Sequence, residues 1–353
     1  MHIIPPNDSR QPLRARIMES GKEISEDRPK PPTRYVFGPV SSRRLGRSLG
    51  IDPVPTKTCN WNCVYCQLGR TKSMTGTRGE YFPSEEIVRE AEEVLSTHAP
   101  GTIDWVTFVG SGETLLHRGL GRMLRRMKDV TDIPLAVITN GSLLSDPVVR
   151  TELLPADAVL PSLDGGTPEL FRKINRPHPG IPFHHHLGGL QAFSRDYLGK
   201  FLVEVMLIRG VNDTDGALSD LAVAMDRISP DAIHLSRPDR PPAEPWVAAT
   251  DEEGFIKAMS ILGSVAKVLH PVESVLHLEG PKGALENLLA ILPRHPLSEA
   301  QLQRALAHWA PPDVSAFMSS LEASRKVKRT RRHAESFWVS SEARFPSTRS
   351  DHS

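Results

Sequence analysis

Three cysteines, Cys59, Cys63 and Cys66, fall within eight residues of one another, and the chain holds no others. The stretch reads Cys59–Asn60–Trp61–Asn62–Cys63–Val64–Tyr65–Cys66, a C-x3-C-x2-C spacing. An odd, tightly clustered set does not make a disulfide framework, and it suits a reducing cytoplasm. Thiolates hold iron–sulfur clusters, and a four-iron cluster offers four iron corners. Three cysteines leave one iron open, free to take a substrate or cofactor. The competing reading is a structural zinc site, which closes with four ligands and would need one of the fourteen histidines to complete it.

A loop of this kind needs a frame, and the surrounding pattern alternates strand and helix. Leu49–Val54 reads as a short strand running into the cysteines, and Ser84 opens a helix whose apolar positions Ile87, Val88, Ala91, Val94 and Leu95 share a face. Strands are expected over 105–110, 134–141, 157–165, 201–208 and 232–235, with helices over 120–128 and 147–154 between them. Strands spaced by helices argue for repeated βα units and a parallel sheet. Six such units are too few for a closed eight-stranded barrel, so the expected fold is α/β, an open partial (β/α)6 barrel. Ligands of such folds sit at the C-terminal strand ends. The polar motifs Gly110–Ser111–Gly112–Glu113, Thr139–Asn140–Gly141 and Ser162 with Asp164 all fall there. Glu204 lies within an otherwise apolar strand, and a buried carboxylate needs a partner. A ribose or an arginine would suit it.

Residues 34–245 together resemble the radical S-adenosylmethionine (SAM) enzymes, whose loop reads C-x3-C-x-aromatic-C, with Tyr65 here as the aromatic. YVFGPVSSRRLGRSLGIDPVPTKTCNWNCVYCQLGRT, SLDGGTPELFRKINRPHPG and VEVMLIRGVND resemble a bacterial and archaeal subgroup of Fe–S oxidoreductases similar to, but distinct from, wyosine-forming tRNA enzymes. The resemblance implies that Cys59, Cys63 and Cys66 ligate three irons of one [4Fe-4S] cluster. SAM would chelate the fourth and be cleaved reductively to a 5′-deoxyadenosyl radical that takes a substrate hydrogen. It also implies cofactor contacts from Tyr65, Ser111, Gly112, Glu113, Thr139, Asn140, Ser162, Asp164 and Glu204, and an electron donor such as flavodoxin or ferredoxin. Glu113 would pair with the methionyl ammonium. The family's usual proline after this glutamate is Thr114 here.

Other residues invite chemistry with less pattern behind them. Arg43, Arg44, Arg47 and Lys57 precede the cysteines and suit a phosphate or carboxylate near the cluster, or a solvated turn. Asn175–Arg176–Pro177–His178 recurs in the subgroup the chain resembles, which implies a place at the substrate mouth; as bare chemistry it is an ordinary loop. His184, His185 and His186 are adjacent, so they point apart and rarely converge on one metal.

Downstream of Pro241 the pattern changes. Thr250 and Glu253 have capping-box spacing before a helix through about Lys267, followed by a strand-like PVESVLHL (271–278) and a helix around 284–292. Ser298 with Gln301, then Pro311–Pro312–Asp313, open two further helices, and strands are expected over 326–329 and 336–340. Helix, turn, helix and β-ribbon is the order of a winged helix. Its segment 325–333, RKVKRTRRH, carries six basic residues of nine, which suits nucleic acid, a protein partner or an aggregation-resistant edge. The expected divisions are thus a mobile tail (1–33), a core (34–245), an extension (246–293), a winged-helix-like domain (294–341) and a second tail (342–353).

Composition narrows the classes further. Among 353 residues, 43 Lys and Arg balance 42 Asp and Glu, which removes any global pull toward nucleic acid or an anionic membrane. No apolar run approaches the roughly 18 residues a bilayer span needs, and the N-terminal stretch lacks a signal peptide's apolar core. The expectation is a cytoplasmic enzyme with no membrane partner. Its rivals are a non-catalytic Fe–S sensor with a DNA-binding winged helix and a zinc-stabilised interaction module.

Overall fold

The computed structural model describes residues 35–270, 283–332 and 335–346. The chain opens with an antiparallel pair, β1 (Val36–Ser42) and β2 (Gly46–Ile51). Next come α1 (Ser84–Ser96), β3 (Trp105–Phe108), α2 (Leu120–Val130), β4 (Leu135–Thr139), α3 (Pro147–Leu153) and β5 (Ala158–Pro161). Then follow α4 (Pro168–Ile174), α5 (Phe183–Asp196), β6 (Lys200–Met206), α6 (Asp215–Ile228), β7 (Ala232–Ser236), α7 (Glu252–Leu262) and β8 (Ala266–Val268). These eight strands form one sheet in sequential order, parallel from β2 through β8.

Strand periodicity divides the sheet's two faces. Val106, Phe108, Leu135, Val137, Val159, Phe201, Val203 and Val205 point outward into a core with α1, α2, α5, α6 and α7. The alternate residues Ala136, Ala158 and Leu160, with Trp105, Ile138 and Leu202 beside them, face the other way. In β6 this register turns Glu204 and Met206 away from the helices and toward a cavity. Strand alternation therefore settles the inward direction of Glu204, which sequence alone leaves open.

The two edge strands depart from the expectation of six units. β1 is interrupted by Gly38–Pro39 and an irregular register, so its period is broken in the sequence. β8 lies where the helix was expected to continue. Gly263, at φ +80°, ends α7 at Leu262, and its amide donates to Met259 O. Nor does Thr250 cap α7: Asp251 does, accepting from the Gly254 amide, while Thr250 donates to Asp213 Oδ2 at 2.8 Å. At α1 the residue before the helix is Pro83, and Ser84 is its first residue, donating to Glu80.

After β8 the chain builds α8 (Ala284–Ile291), β9 (Leu297–Ser298), α9 (Glu299–Leu306), α10 (Pro311–Ala323), β10 (Val327–Arg332) and β11 (Glu335–Ser340). The last three strands form a small antiparallel sheet ordered β10-β11-β9. A second core of Leu288, Leu292, Leu302, Leu306, Phe317, Leu321 and Trp338 holds these elements together. The expected Ser298–Gln301 capping box is present in full. The strand expected over 271–278, the tail 1–33 and residues 347–353 lie outside the described residues. Residues 342–346 are described, and Ala343 is buried, so the expected second tail does not begin at 342. Among the described residues, no helix is long and apolar enough to cross a membrane.

Candidate functional site

The cysteines sit on a loop pinned at alternate positions. Trp61 and Val64 are fully buried, Trp61 edge-on to Phe171 and His186, Val64 among Ile174, Ile208 and Val247. Burying a side chain of this size stabilises by about 3 kcal/mol, so these two anchors hold the loop down. Backbone bonds from Asn62 N to Asn175 O and from Val64 N to Ile174 O fasten the same stretch. Glu244, itself buried, accepts from both Arg70 and Arg176, and its amide donates to Val64 O. Cys63, between these anchors, and Cys59 and Cys66, on either side of them, stay half-buried, with free thiols.

The loop after β3 meets it closely. Lys57 N donates to Ser111 O and Glu113 N to Thr58 O. A Cβ on Gly112 would stand 2.1 Å from Thr58 O, so only glycine fits there. Each sulfur has an N–H nearby: Trp61 N to Cys59 at 3.4 Å, Asn175 Nδ2 to Cys63 at 3.8 Å, and Lys57 Nζ to Cys66 at 3.2 Å. Burial, with Glu113 nearby, pushes the Cys59 thiol up to about 12. Burial and the other two sulfurs raise Cys63 well above its ordinary value. Burial opposes the charge of Lys57, but the sulfurs outweigh it and hold its pKa above the usual lysine value. Three crowded thiols are a donor set that needs cations to ionise, and a cluster's irons supply them. Among the described residues, no three His, Cys, Asp or Glu side chains are grouped around a single metal ion.

A cavity of about 540 Å³ opens over the sulfurs. Tyr65, Ser111, Gly112, Glu113, Thr139, Asn140, Ser162, Asp164 and Glu204 all line it, so the strand ends bring every expected site residue to one place. Their hydrogen bonds, however, are largely spent within the protein. Buried Glu113 accepts from Leu115 N, Thr139 Oγ1 and Asn140 N, which staples the end of β3 to β4 and leaves one lone pair on Oε2. Asp164 accepts from Tyr65 OH and Asn175 Nδ2, both at 2.6 Å, and from Met206 N at 2.8 Å. Burial raises the pKa of both carboxylates against these bonds. Ser111 donates its hydroxyl to Asp52, and Ser162 offers its carbonyl to His186 Nε2–H. Thr114 starts a short 3-10 turn and donates to Ile138 O, so the turn is tied without the family's proline.

Of the two partners that suited Glu204, the structure supplies the arginine: Arg44 Nε and Nη2 reach its two oxygens. Arg43 also lines the cavity, paired with Asp239. Arg47 does not, because it turns outward to Asp104. His186 is buried and stacked on Phe171, which accounts for it as packing. Much of the basic stripe is engaged as well: Lys328 donates to Ser341 O and Ala343 O, Arg329 pairs with Glu322, and Arg332 reaches the Pro238 and Arg240 carbonyls.

Sequence reasoning missed an entire wall. Arg294, His295, Ser298, Gln301, Arg304 and Phe337 line the cavity from the C-terminal elements. Arg294 Nε donates to Asp52 Oδ2 at 2.7 Å, and Gln67, the residue after Cys66, donates to Arg294 O. The signal available was the apolar-poor stretch Pro293–Pro296 between two helices, which names no target.

Comparison with known proteins adds a second line. The radical SAM superfamily model matches residues 54–222. The chain is 39% identical over 243 residues to a protein called GTPase Obg from Brachyspira hyodysenteriae, a match that spans 69% of this chain and 35% of that protein. It is 34% identical over 275 residues to UPF0026 protein MJ1312 from Methanocaldococcus jannaschii, covering 76% of this chain and 85% of that one. Among solved structures, TYW1 with a lysine-pyruvate adduct bound matches at 17% identity and a TM-score of 0.47, over 62% of this chain and 74% of that one.

Proposed function

From the premise that the chain belongs to the UPF0026 proteins of the radical SAM superfamily, we propose which of its residues hold the cofactors and what they do. It is an enzyme of the radical SAM Fe–S class, and its cofactors are a [4Fe-4S] cluster and S-adenosylmethionine. Cys59, Cys63 and Cys66 are the cluster's three protein ligands in this reading. The observation that carries it is the loop itself, three sulfurs on a stretch anchored by buried Trp61 and Val64 under a cavity that all the strand-end polar residues line. When bound, the cluster supplies the electron that cleaves SAM to a hydrogen-abstracting 5′-deoxyadenosyl radical.

The protein's own residues position and protect. Lys57 and Asn175 donate toward the sulfurs of Cys66 and Cys63, which would moderate the charge of the thiolates. The free lone pair of Glu113 Oε2 receives the methionyl ammonium, and Asn140, Asp164 and Ser162 set the rest of the cofactor. Tyr65 donates to Asp164 and holds that carboxylate in place beside the cavity. The electron donor in this reading is a flavodoxin or ferredoxin.

For architecture we read an open (β/α)6 partial barrel over 34–245, an extension over 246–293 and a winged-helix-like unit from 294. The order β9-α9-α10-β10-β11 and its three-stranded sheet support the last. The engagement of Arg332 with core carbonyls favours a docked wing over a DNA-reading sensor. The test is anaerobic: reconstitute the cluster, add SAM and dithionite, and quantify 5′-deoxyadenosine against Cys63→Ala. Product from the wild type alone is expected. Four irons per chain without product, at any substrate-independent level, would count against the assignment.

A further inference from the structure

The cavity is electrically lopsided. Its floor carries the sulfurs with Glu113 and Asp164, whose oxygens are already held by neighbouring donors. Its far wall gathers guanidinium groups around His295. Arg240, Arg44, Arg43 and Arg294 all act on that imidazole and, with burial, push its pKa well below the ordinary value. Arg240 Nη1 donates to His295 Nδ1 at 2.9 Å, and an arginine only donates, so Nδ1 is the unprotonated nitrogen.

Three carboxylates answer these cations, and they do not suffice. Glu204 takes Arg44, and Asp52 takes Arg294. Asp239 serves both Arg43 and Arg237. That leaves Arg240, which bonds only to neutral partners, Gln67 Oε1 and His295 Nδ1. Among the described residues no carboxylate lies at ion-pair distance from it. Burial and Arg43 lower the pKa of Arg240 to about 10, and the more distant charge of Asp239 only partly opposes them. Partly buried guanidinium groups in excess over carboxylates are costly unless an anion joins them. The planar fork of arginine matches carboxylate and phosphate oxygens.

On the reading of this cavity as the place of reaction, we infer that Arg240, with Arg43 beside it, binds an anionic group of the substrate, a phosphate or a carboxylate. The substrate is then a molecule with an anionic end against the C-terminal wall and its reacting carbon toward the cluster floor. Because Arg240 also holds Gln67, next to Cys66, anion binding bears directly on the cysteine loop.

The test is calorimetric titration of iron-loaded protein with inorganic phosphate and, separately, acetate, at ionic strength held constant with chloride. Wild-type protein is expected to bind at least one of the two. Arg240→Gln is expected to weaken that binding about tenfold or more, and Arg240→Lys, which keeps the charge but loses the fork, to weaken it less. Phosphate alone binding assigns a phosphate ester, and acetate alone a carboxylic acid. Should Arg240→Gln lack a cooperative melt, Arg43→Gln carries the same test from the neighbouring guanidinium. The inference is overturned if neither anion binds beyond the chloride control, or if both glutamine variants bind as the wild type does. Iron and 5′-deoxyadenosine measured on the same samples keep a failure of the proposed function distinct from a failure of this subsite.

Discussion

Arg294 donates to the same oxygen of Asp52 that accepts the Ser111 amide and hydroxyl. A residue of the C-terminal elements thereby fixes the turn that carries Glu113. Both partners are largely withdrawn from water, with side chains 13% and 2% exposed. Removing one partner strands the other's charge.

Arg294→Met is accordingly expected to lower stability by about 3 kcal/mol, while the pair Arg294→Met with Asp52→Asn recovers part of that loss. Urea denaturation of the four proteins in the cycle measures the coupling. Single changes whose effects simply add in the double variant would show that the contact carries no energy of its own.

Two glycines make opposite predictions. Gly112→Ala must displace the Thr58 carbonyl and with it the start of the cysteine loop, so iron retained after reconstitution should fall and stability drop by about 2 kcal/mol. Gly188, inside α5, has nothing within 4 Å of an added Cβ. Gly188→Ala should leave iron content alone and stabilise by about 0.5–1 kcal/mol.

His186 sets an acid limit. Burial pulls its pKa down to about 4, below the ordinary value near 6.5, so the unfolded chain binds this proton first as pH falls. Its contribution is complete above pH 6.5 and is lost on descent from there toward pH 4. Between pH 7 and pH 5 the loss amounts to about 2 kcal/mol. Chemical denaturation at both pH values should show that difference shrink by a similar amount in His186→Gln, which retains a donor for Ser162 O. An unchanged pH dependence would assign the acid sensitivity elsewhere.

Tyr65→Phe removes one donor from the buried Asp164 while keeping the ring. A melting temperature lower by an amount equivalent to about 1–2 kcal/mol is expected, with iron content retained, because the sulfurs keep their own donors. Loss of iron along with stability would mean that the hydroxyl holds the loop.

The legible parts of this molecule were those written in local pattern. Cysteines placed at one spacing and nowhere else, and apolar runs such as Ala158–Pro161 that are buried throughout, read directly as a loop and its strands. So did the strand-end residues, since parallel topology fixes which end collects ligands. β1 was illegible because Gly38–Pro39 breaks its alternation, and β8 because three residues carry no period of their own. That Glu204 needs a partner was legible, but the face it takes was not, and its partner Arg44 lies 160 residues away, a separation no window spans. Arg294 and Asp52 are 242 apart for the same reason. Nor does sequence reveal that Glu113 and Asp164 spend most of their acceptor capacity on the protein, since that depends on how four strand ends converge.

Just beyond the cysteines, Gly69 lies against the backbone of Arg344, so closely that a Cβ there would stand 2.3 Å from the Arg344 carbonyl, and Arg70 N donates to that same oxygen. This clasp imposes an order on biosynthesis. The cysteine loop leaves the ribosome first, whereas the Arg344 segment that braces it is translated about 275 residues later, tens of seconds at roughly 5–20 residues per second. Throughout that interval three thiols wait on an unbraced loop, open to adventitious metals and oxidants. The brace therefore forms only after Arg344 has been made, and iron and sulfide delivered before then meet an unfinished pocket.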